Sequence, residues 1–131
     1  MKKSFMKRLV ALALVIVSVF SVSAVAFAES NTINAVPGEK RTGDDITFTT
    51  GADISVRVSC FQNSGDIVRV FLDVYDPDRG YYVERDVVKF TSAGYNNGTL
   101  YYDLDSNENL VRIRTYGYEA NSGTIIVTYN Y

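Results

Sequence analysis

Residues 67–75 read IVRVFLDVY, and this stretch is the longest regular β pattern in the chain. Because successive side chains of a β-strand point to opposite faces, one face carries aliphatic residues and the other a mixed set. The aliphatic face consists of Val68, Val70, Leu72 and Val74. The turn-forming residues 76–80 (DPDRG) follow directly. The stretch therefore predicts a central strand of a half-buried sheet that ends at a tight turn.

The first 28 residues have the three parts of a secretion signal. Four basic residues precede an apolar run at residues 9–22, and residues 26–28 (AFA) form an A-x-A cleavage site. The apolar run is short for a membrane-spanning helix, and small residues crowd its end. We expect a signal peptide at residues 1–28 that is cleaved after Ala28. The mature protein would then be secreted and would have no membrane attachment. The lysine-rich start resembles that of Gram-positive bacterial signals.

Removal of the signal peptide makes the remaining chain acidic. The full sequence has 13 basic and 15 acidic residues, and four of the basic ones but none of the acidic ones lie in the signal. The mature chain of 103 residues therefore has nine basic and 15 acidic residues, a net charge of −6. Because nucleic acids and anionic lipids bind basic patches, this composition argues against a nucleic-acid partner and against membrane binding.

The mature chain is long enough for one domain. Residues 29–45 are polar, with one proline and two glycines, so we predict a flexible N-terminal segment in which residues 32–36 could add an edge strand. Residues 46–131 show about seven or eight short β patterns separated by turn signals. They predict an all-β fold, a small antiparallel β-sandwich of the immunoglobulin-like or jelly-roll-like kind, with a small barrel as the alternative. Residues 91–98 are the longest predicted loop in this domain.

Two short connections predict hairpins in which consecutive strands pair. In the first, Cys60 lies opposite Val68, which aligns the apolar side chains of both strands on one face. In the second, Ile113 lies opposite Tyr129, with the same result. Both alignments predict that strands adjacent in sequence are neighbours in one sheet.

The pairing across the central turn is less regular. With Leu72 opposite Val83, Asp86 faces Arg69 and forms a cross-strand charge pair. The same alignment leaves Arg85 on the core face, where a charged side chain is costly. We therefore expect a bulge in this hairpin or a crossing to the second sheet.

Composition excludes several catalytic chemistries. The chain has no histidine and only one cysteine, which removes Ser-His-Asp and Cys-His catalysis and the usual zinc sites. Cys60 falls on an apolar strand face, where a buried thiol is expected and an intermolecular disulfide is the alternative. The remaining route to catalysis is a pair of carboxylates that face each other across a cleft. Most carboxylates of this chain, however, fall on predicted turns or outer faces. We predict that the protein is not an enzyme.

The central turn holds the densest group of carboxylates. Asp76 and Asp78 lie in it, and Asp73 is near in sequence. Calcium takes six to eight oxygen ligands, which closely spaced aspartates on a tight turn can supply. Asp-Pro followed by glycine is also an ordinary turn sequence, and Arg79 offsets part of the charge. The expectation is no cofactor, with calcium at these three aspartates as the alternative.

Tyrosine and arginine suggest a binding face. All ten tyrosines lie in the mature chain. At least half of them are expected to pack against side chains of neighbouring strands. Tyrosine and arginine are also enriched at binding hot spots. The candidate ligand-binding residues are Arg57, Arg69, Tyr82, Tyr101, Arg112, Arg114 and Tyr116.

These observations predict a secreted, non-enzymatic binding module. Its partner would be an extracellular protein, an envelope polysaccharide or a matrix component. A self-associating extracellular matrix protein, and hence a homo-oligomer, is the alternative, because exposed strand edges and tyrosine-rich faces favour association. A secreted bacteriocin-like effector is a third possibility.

Overall fold

The computed structural model describes residues 30–65, 67–118 and 124–131, which form nine β-strands and no helix. The strands are β1 (Ser30–Ala35), β2 (Lys40–Thr42), β3 (Ile46–Thr47), β4 (Asp53–Gln62), β5 (Val68–Asp76), β6 (Tyr81–Phe90), β7 (Gly94–Asp103), β8 (Leu110–Gly117) and β9 (Ile125–Asn130). The predicted signal peptide and its cleavage site lie outside the described residues.

The strands form two antiparallel sheets that pack face to face. Sheet A has the order β1-β9-β4-β7, and sheet B has the order β2-β8-β5-β6 with β3 also paired to β8. The pairs are nested, because β1 pairs with β9, β2 with β8, β4 with β7 and β5 with β6. The chain is thus one long hairpin rolled into two sheets, which is the jelly-roll arrangement. The predicted antiparallel β-sandwich is confirmed.

The tip of the long hairpin is the turn that follows residues 67–75. Among the described strands, β5 and β6 are the only two that are consecutive in sequence and also pair with each other. Asp76 Oδ1 accepts hydrogen bonds from the backbone N–H groups of Asp78 (3.0 Å) and Arg79 (3.2 Å). Gly80 has a φ of 78°, which side-chain-bearing residues rarely adopt. The DPDRG sequence therefore marks the point at which the whole chain reverses.

The inner faces of both sheets supply an aliphatic core, as the alternating pattern predicts. Burial alternates regularly along β4, β8 and β9. The largest fully buried apolar side chains are Tyr129, Leu72, Leu100, Ile113, Ile125, Val56, Val58, Val68, Val70, Val74 and Val111. Full burial of such a side chain stabilises the fold by about 1.5–3 kcal/mol.

The predicted hairpin between β4 and β5 is wrong, although the predicted inward faces are right. β4 pairs with β7 and β9 in sheet A, whereas β5 pairs with β6 and β8 in sheet B. Cys60 consequently lies opposite Asn96 and Val127, and not opposite Val68. β4 ends in sheet A and β5 begins in sheet B, so the two apolar faces meet across the core instead of lying side by side.

The predicted pairing of β8 with β9 is wrong for the same reason. Ile113 lies opposite Leu72 of β5 in sheet B. Tyr129 lies opposite Val58 of β4 and Asn31 of β1 in sheet A. Both side chains are buried, as their positions in the alternating pattern require.

The β5–β6 hairpin contains the predicted irregularity. The register shifts between Leu72 and Asp73, so that Leu72 lies opposite Asp86 and not opposite Val83. The expected charge pair of Asp86 with Arg69 is therefore wrong. A bulge inserts an extra residue into one strand and changes which face the following side chains occupy.

Arg85, which the pattern placed on the core face, is half-buried against the loop before β8. Its Nη2 lies 3.5 Å from Oε2 of Glu108, whose side chain is only 2% exposed, and its guanidinium lies 5.3 Å from the ring centroid of Tyr102. Glu108 Oε1 also accepts hydrogen bonds from the Asp105 N–H (2.8 Å) and the Tyr102 hydroxyl (3.2 Å). A buried carboxylate with these partners holds the β7–β8 loop against the sandwich.

The N-terminal segment predicted to be flexible instead contributes two strands. β1, which overlaps the predicted edge strand at residues 32–36, pairs with β9, and β2 pairs with β8. β1 also buries Ile33 and Ala35 in the core. Its polar positions face outward, where polar side chains are compatible with a strand.

The predicted loop at residues 91–98 is largely strand. β7 begins at Gly94 and pairs with β4 along its whole length. The turn-forming pair Asn97-Gly98 lies inside this strand, opposite Ser59 and Val58 of β4, and β6 approaches Gly98 closely. A Cβ atom at Gly98 would lie 2.7 Å from Cγ2 of Val88, so glycine is required here by packing and not by a turn.

Cys60 is buried in the core, as expected. Its thiol is unpaired and fully inaccessible to solvent. Burial raises the pKa of the Cys60 thiol to about 11, because the thiolate would lack solvation. An intermolecular disulfide would therefore require the sandwich to open.

Gln62 ends β4 with a fully buried amide. Neither its Oε1 nor its Nε2 has a hydrogen-bond partner among the described residues. Because an unpaired buried amide costs about 1–3 kcal/mol, we expect Gln62→Met to raise the free energy of unfolding by about 1–2 kcal/mol. Urea denaturation measures this change, with Gln62→Ala as the control that also removes volume. A methionine variant less stable than the wild type would contradict the expectation.

Candidate functional site

The seven residues of the predicted binding face lie on opposite sides of the molecule. Arg57 is on β4 and Tyr101 on β7, so both belong to sheet A. The other residues belong to sheet B, where they are Arg69, Tyr82, Arg112, Arg114 and Tyr116. The hairpin predicted between β4 and β5 had placed Arg57 on the same face as Arg69, and its correction separates these two residues. The structure therefore contains two candidate faces.

On sheet B the arginines are engaged by carboxylates. Asp73, which is almost fully buried, accepts hydrogen bonds from Nε (2.8 Å) and Nη2 (3.1 Å) of Arg114. Arg112 Nε lies 3.5 Å from the same carboxylate, and Arg114 Nη2 lies 3.3 Å from Glu84. We call these four residues the arginine cluster. The bidentate bond from Arg114 is the strongest geometry available to such a pair.

Aromatic rings cover the guanidinium groups of the arginine cluster. Arg112 lies 3.9 Å from the ring centroid of Tyr82, and Arg114 lies 4.1 Å from that of Phe71. The Tyr82 hydroxyl donates to Asp45 Oδ1 (2.5 Å). Burial, with a smaller effect from Asp45, raises the pKa of Tyr82 to about 12. The guanidinium groups of Arg112 and Arg114 and the ring of Tyr82, which were predicted to bind a ligand, therefore already contact one another or other residues of the fold.

The remaining two candidates on sheet B are also in contact with aromatic neighbours. Arg69 lies 5.6 Å from the ring centroid of Tyr118, and the ring of Tyr116 packs edge-on against Tyr118 at 5.5 Å. Arg69 and Tyr116 lie directly opposite each other in the ladder between β5 and β8. This group extends the arginine cluster along the same face, and it stabilises that face of sheet B.

The three aspartates of the predicted calcium site do not converge. Asp73 faces Arg112 and Arg114, whereas Asp76 caps the turn and lies 3.4 Å from Arg79. In residues 30–65, 67–118 and 124–131, no group of three or more His, Cys, Asp or Glu side chains is arranged to hold a metal ion. An aspartate whose oxygens already accept from arginine and backbone donors has few free lone pairs for calcium.

The outer face of sheet A has a different character. Its central positions carry short hydrogen-bonding side chains around one arginine. We call this surface the polar face, and it comprises Ser55, Arg57, Ser59, Asn97, Thr99 and Asn130. A shallow groove of about 360 Å³ runs over it, and a second of about 150 Å³ adjoins it beside Ser55 and Tyr131. Arg57 lines both grooves.

Arg57 lies at the centre of the polar face with its charge unpaired. It is opposite Thr99 on one side and Asn130 on the other. Arg57 is exposed and has no carboxylate or aromatic partner within the described ranges. The other arginines of the described chain each contact a carboxylate or an aromatic ring. Its guanidinium, which can donate five hydrogen bonds, therefore lies on an open surface without a carboxylate partner.

Two exposed tyrosines flank the polar face along β7. Tyr95 is 79% exposed and its ring packs at 4.8 Å against Phe61, whereas Tyr101 is 65% exposed. Because six residues separate them on one strand, they lie about 20 Å apart on the same side of the sheet. The face thus has an aromatic ring near each end and hydrogen-bonding groups between.

Most of the polar face was not recognised from the sequence. Only Arg57 and Tyr101 had been selected, whereas the neighbouring serines, threonine and asparagines had not. The alternation of Tyr95, Asn97, Thr99 and Tyr101 could have indicated one strand face. The Asn-Gly pair within that stretch favoured a turn instead.

Part of the free edge of β7 is occupied by a side chain. Asp86 Oδ2 accepts the backbone N–H of Tyr101 (2.8 Å), and Asp86 Oδ1 accepts that of Val87 (2.8 Å). Asp86 belongs to β6, so its bond to the Tyr101 N–H joins the two sheets along this side of the sandwich. A carboxylate on an edge N–H also removes a donor that the strand of a second molecule would need.

Comparison with known proteins adds no family to this description. Neither the models of protein families nor the curated proteins gave a match to the chain. In the part of the chain that the structure describes, no helix is long and apolar enough to cross a membrane.

Proposed function

We propose that the protein is a secreted, non-enzymatic binding module that holds an envelope polysaccharide on its polar face. The observation that carries this proposal is Arg57, an exposed and unpaired arginine among hydrogen-bonding side chains on an open sheet. Every other arginine of the described chain contacts a carboxylate or an aromatic ring. An arginine kept free at the centre of a groove is available for a ligand.

The lining of the polar face suits a polysaccharide better than a protein. Hydroxyl and amide groups from Ser59, Asn97 and Thr99 offer donors and acceptors in a row, without exposed aliphatic side chains between them. The buried centre of a protein interface is more apolar than this. The rings of Tyr95 and Tyr101 offer flat apolar surfaces on which sugar rings can stack, and their spacing suits an elongated ligand.

No catalytic role is proposed. The two buried carboxylates, Asp73 and Glu108, are each paired with arginine and lie away from the polar face. Self-association receives less support than ligand binding, because Asp86 occupies part of the β7 edge. On the outer face of sheet A the outward apolar side chains lie at one end, where Phe61 is between Tyr95 and Ile126, and the centre of the face is polar.

Removal of either flanking tyrosine should weaken binding to Gram-positive cell walls. For Tyr101→Ala and for Tyr95→Ala we expect the dissociation constant to rise about five- to tenfold, because each substitution removes a ring on which a sugar can stack. A sedimentation assay with purified walls measures the bound fraction. Because Tyr101 is exposed, its substitution should change the free energy of unfolding by no more than about 0.5 kcal/mol. Tyr95→Ala also loses the ring contact with Phe61 and should cost about 0.5–1.5 kcal/mol.

Tyr81→Ala is the matched control for these variants. Tyr81 is 56% exposed and begins β6 of sheet B, away from the polar face. If Tyr101→Ala and Tyr81→Ala bind walls equally well, the polar face is not the binding surface. If wall binding disappears after protease treatment of the walls but survives digestion of their polysaccharide, the ligand is a protein and the proposal is wrong.

A further inference from the structure

We propose that the polar face selects a polysaccharide that carries widely spaced anionic groups, each a carboxylate or a phosphodiester, and that Arg57 binds one such group. This inference rests on the proposed function and specifies the ligand of the same site. It follows from the charge at the centre of the polar face, from the neutral groups around that charge, and from two carboxylates near one end.

The charge at the centre is the guanidinium of Arg57. Its planar fork of N–H donors matches the two oxygens of a carboxylate or phosphodiester group. The described neighbours leave that fork unoccupied, since Ser59, Thr99 and Asn130 are neutral. An uncharged sugar would leave the guanidinium without a counter-charge, whereas an acidic sugar or a sugar phosphodiester would supply one.

The groups around Arg57 contribute hydrogen bonds but no further positive charge. The larger groove is lined on the β7 side by Asn97, Gly98 and Thr99, and the smaller one by Ser55 and Asn130. This face can therefore balance the charge of one anionic group and form hydrogen bonds with several neutral sugar rings around it. A polymer that carried a negative charge on every ring would present charges that nothing on this face balances.

Two aspartates at one end of the sheet oppose a dense polyanion. Asp53 and Asp103 lie directly opposite each other on β4 and β7, are both exposed, and share the outward side with Arg57. They lie about 13 Å along the strands from Arg57, and Asp103 is two residues from Tyr101. A polymer stacked on Tyr101 would pass close to this pair, which repels any anionic group placed there. The face therefore favours widely spaced charges.

The test uses one preparation of purified Gram-positive cell walls in three states. The first is untreated, the second has lost its phosphodiester-linked polymers to hydrofluoric acid, and the third has its carboxylates converted to neutral methylamides. Wild-type binding should weaken at least about tenfold in the second state if the anion is a phosphodiester, and in the third if it is a carboxylate. Binding that is unchanged by both treatments would overturn the inference and leave the proposed function standing.

Arg57→Gln ties the charge preference to this site. The variant should bind untreated walls about tenfold more weakly than the wild type, and after the treatment that weakens the wild type the two proteins should bind equally weakly. Arg79→Gln is the control, because Arg79 is an exposed arginine of the hairpin tip in sheet B. Equal binding of Arg57→Gln and wild type would overturn the inference. If the wild type binds no state of the walls, the proposed function itself fails.

The double variant Asp53→Asn/Asp103→Asn tests the preference for sparse charge. It should bind polygalacturonate, which carries a carboxylate on each ring, at least about fivefold more tightly than the wild type does, because the repulsion at the end of the face is removed. Circular dichroism checks that the sheets are intact. Asp78→Asn at the hairpin tip is the control. This part of the inference would be overturned if the double variant showed no gain in affinity for polygalacturonate, or a gain no larger than that of the control.

Discussion

Asp73→Ala is expected to lower the free energy of unfolding by about 3 kcal/mol, because it leaves two arginines without their shared carboxylate. Asp73 is 2% exposed and accepts two hydrogen bonds from Arg114, with Arg112 at 3.5 Å. Without the aspartate, two partly buried cations lie two residues apart on one face of β8, and only Arg114 keeps a carboxylate neighbour, Glu84 at 3.3 Å. Urea denaturation at neutral pH measures the loss.

A double-mutant cycle separates the ion pair from the loss of packing. Asp73→Ala/Arg114→Leu should be more stable than Asp73→Ala alone, because the second substitution removes the more buried of the two arginines that have lost Asp73 as their partner. Asp78→Ala is the control, since Asp78 is an exposed carboxylate of the hairpin tip and should cost no more than about 0.5 kcal/mol. A loss below about 1 kcal/mol for Asp73→Ala would show that the cluster adds little to stability.

Gly43→Ala is expected to cost about 2–3 kcal/mol, although Gly43 is partly exposed and lies between β2 and β3. A Cβ atom at this position would overlap the hydroxyl of Tyr129 and lie 3.3 Å from Cδ1 of Ile33. Tyr129 is fully buried and its ring is held between the two sheets, so it cannot rotate out of the way. Thermal unfolding followed by circular dichroism measures the loss.

Removal of the hydroxyl should restore part of this stability. In Gly43→Ala/Tyr129→Phe the overlapping atom is gone, and we expect recovery of about half of the lost free energy. Gly51→Ala is not a suitable control, because Gly51 has a φ of 71° and an alanine there is strained for another reason. Tyr129→Phe alone is the proper reference. If the double variant is no more stable than Gly43→Ala, the tyrosine hydroxyl is not the cause.

Much of the fold could be predicted because alternation determines which side of a strand faces inward. The apolar positions of β4, β5 and β8 were assigned to the core correctly, and all lie within it. The DPDRG turn was predicted correctly as a tight turn because proline, aspartate and glycine each favour it locally. Such features depend on residues close in sequence, so the sequence alone determines them.

Strand pairing could not be predicted in the same way. Residues 63–67 can bridge the roughly 5 Å between neighbouring strands of one sheet or the roughly 10 Å between two packed sheets. The alternating pattern is the same in both cases, because each strand buries one face in either arrangement. The apolar faces lie side by side in the first and meet across the core in the second. Only the complete set of strands in the jelly roll selects the second arrangement.

The candidate site depended on that selection. While β4 and β5 were taken as neighbours, Arg57 appeared to share a face with Arg69 and Phe71, and the arginines formed one apparent binding surface. In the structure Asp73 is buried at the bulge and engages Arg114, while Arg57 is left free on the opposite sheet. The sequence determined which residues face outward. Tertiary structure decided which arginines are neutralised and which one faces solvent, because ion pairing depends on strands distant in sequence.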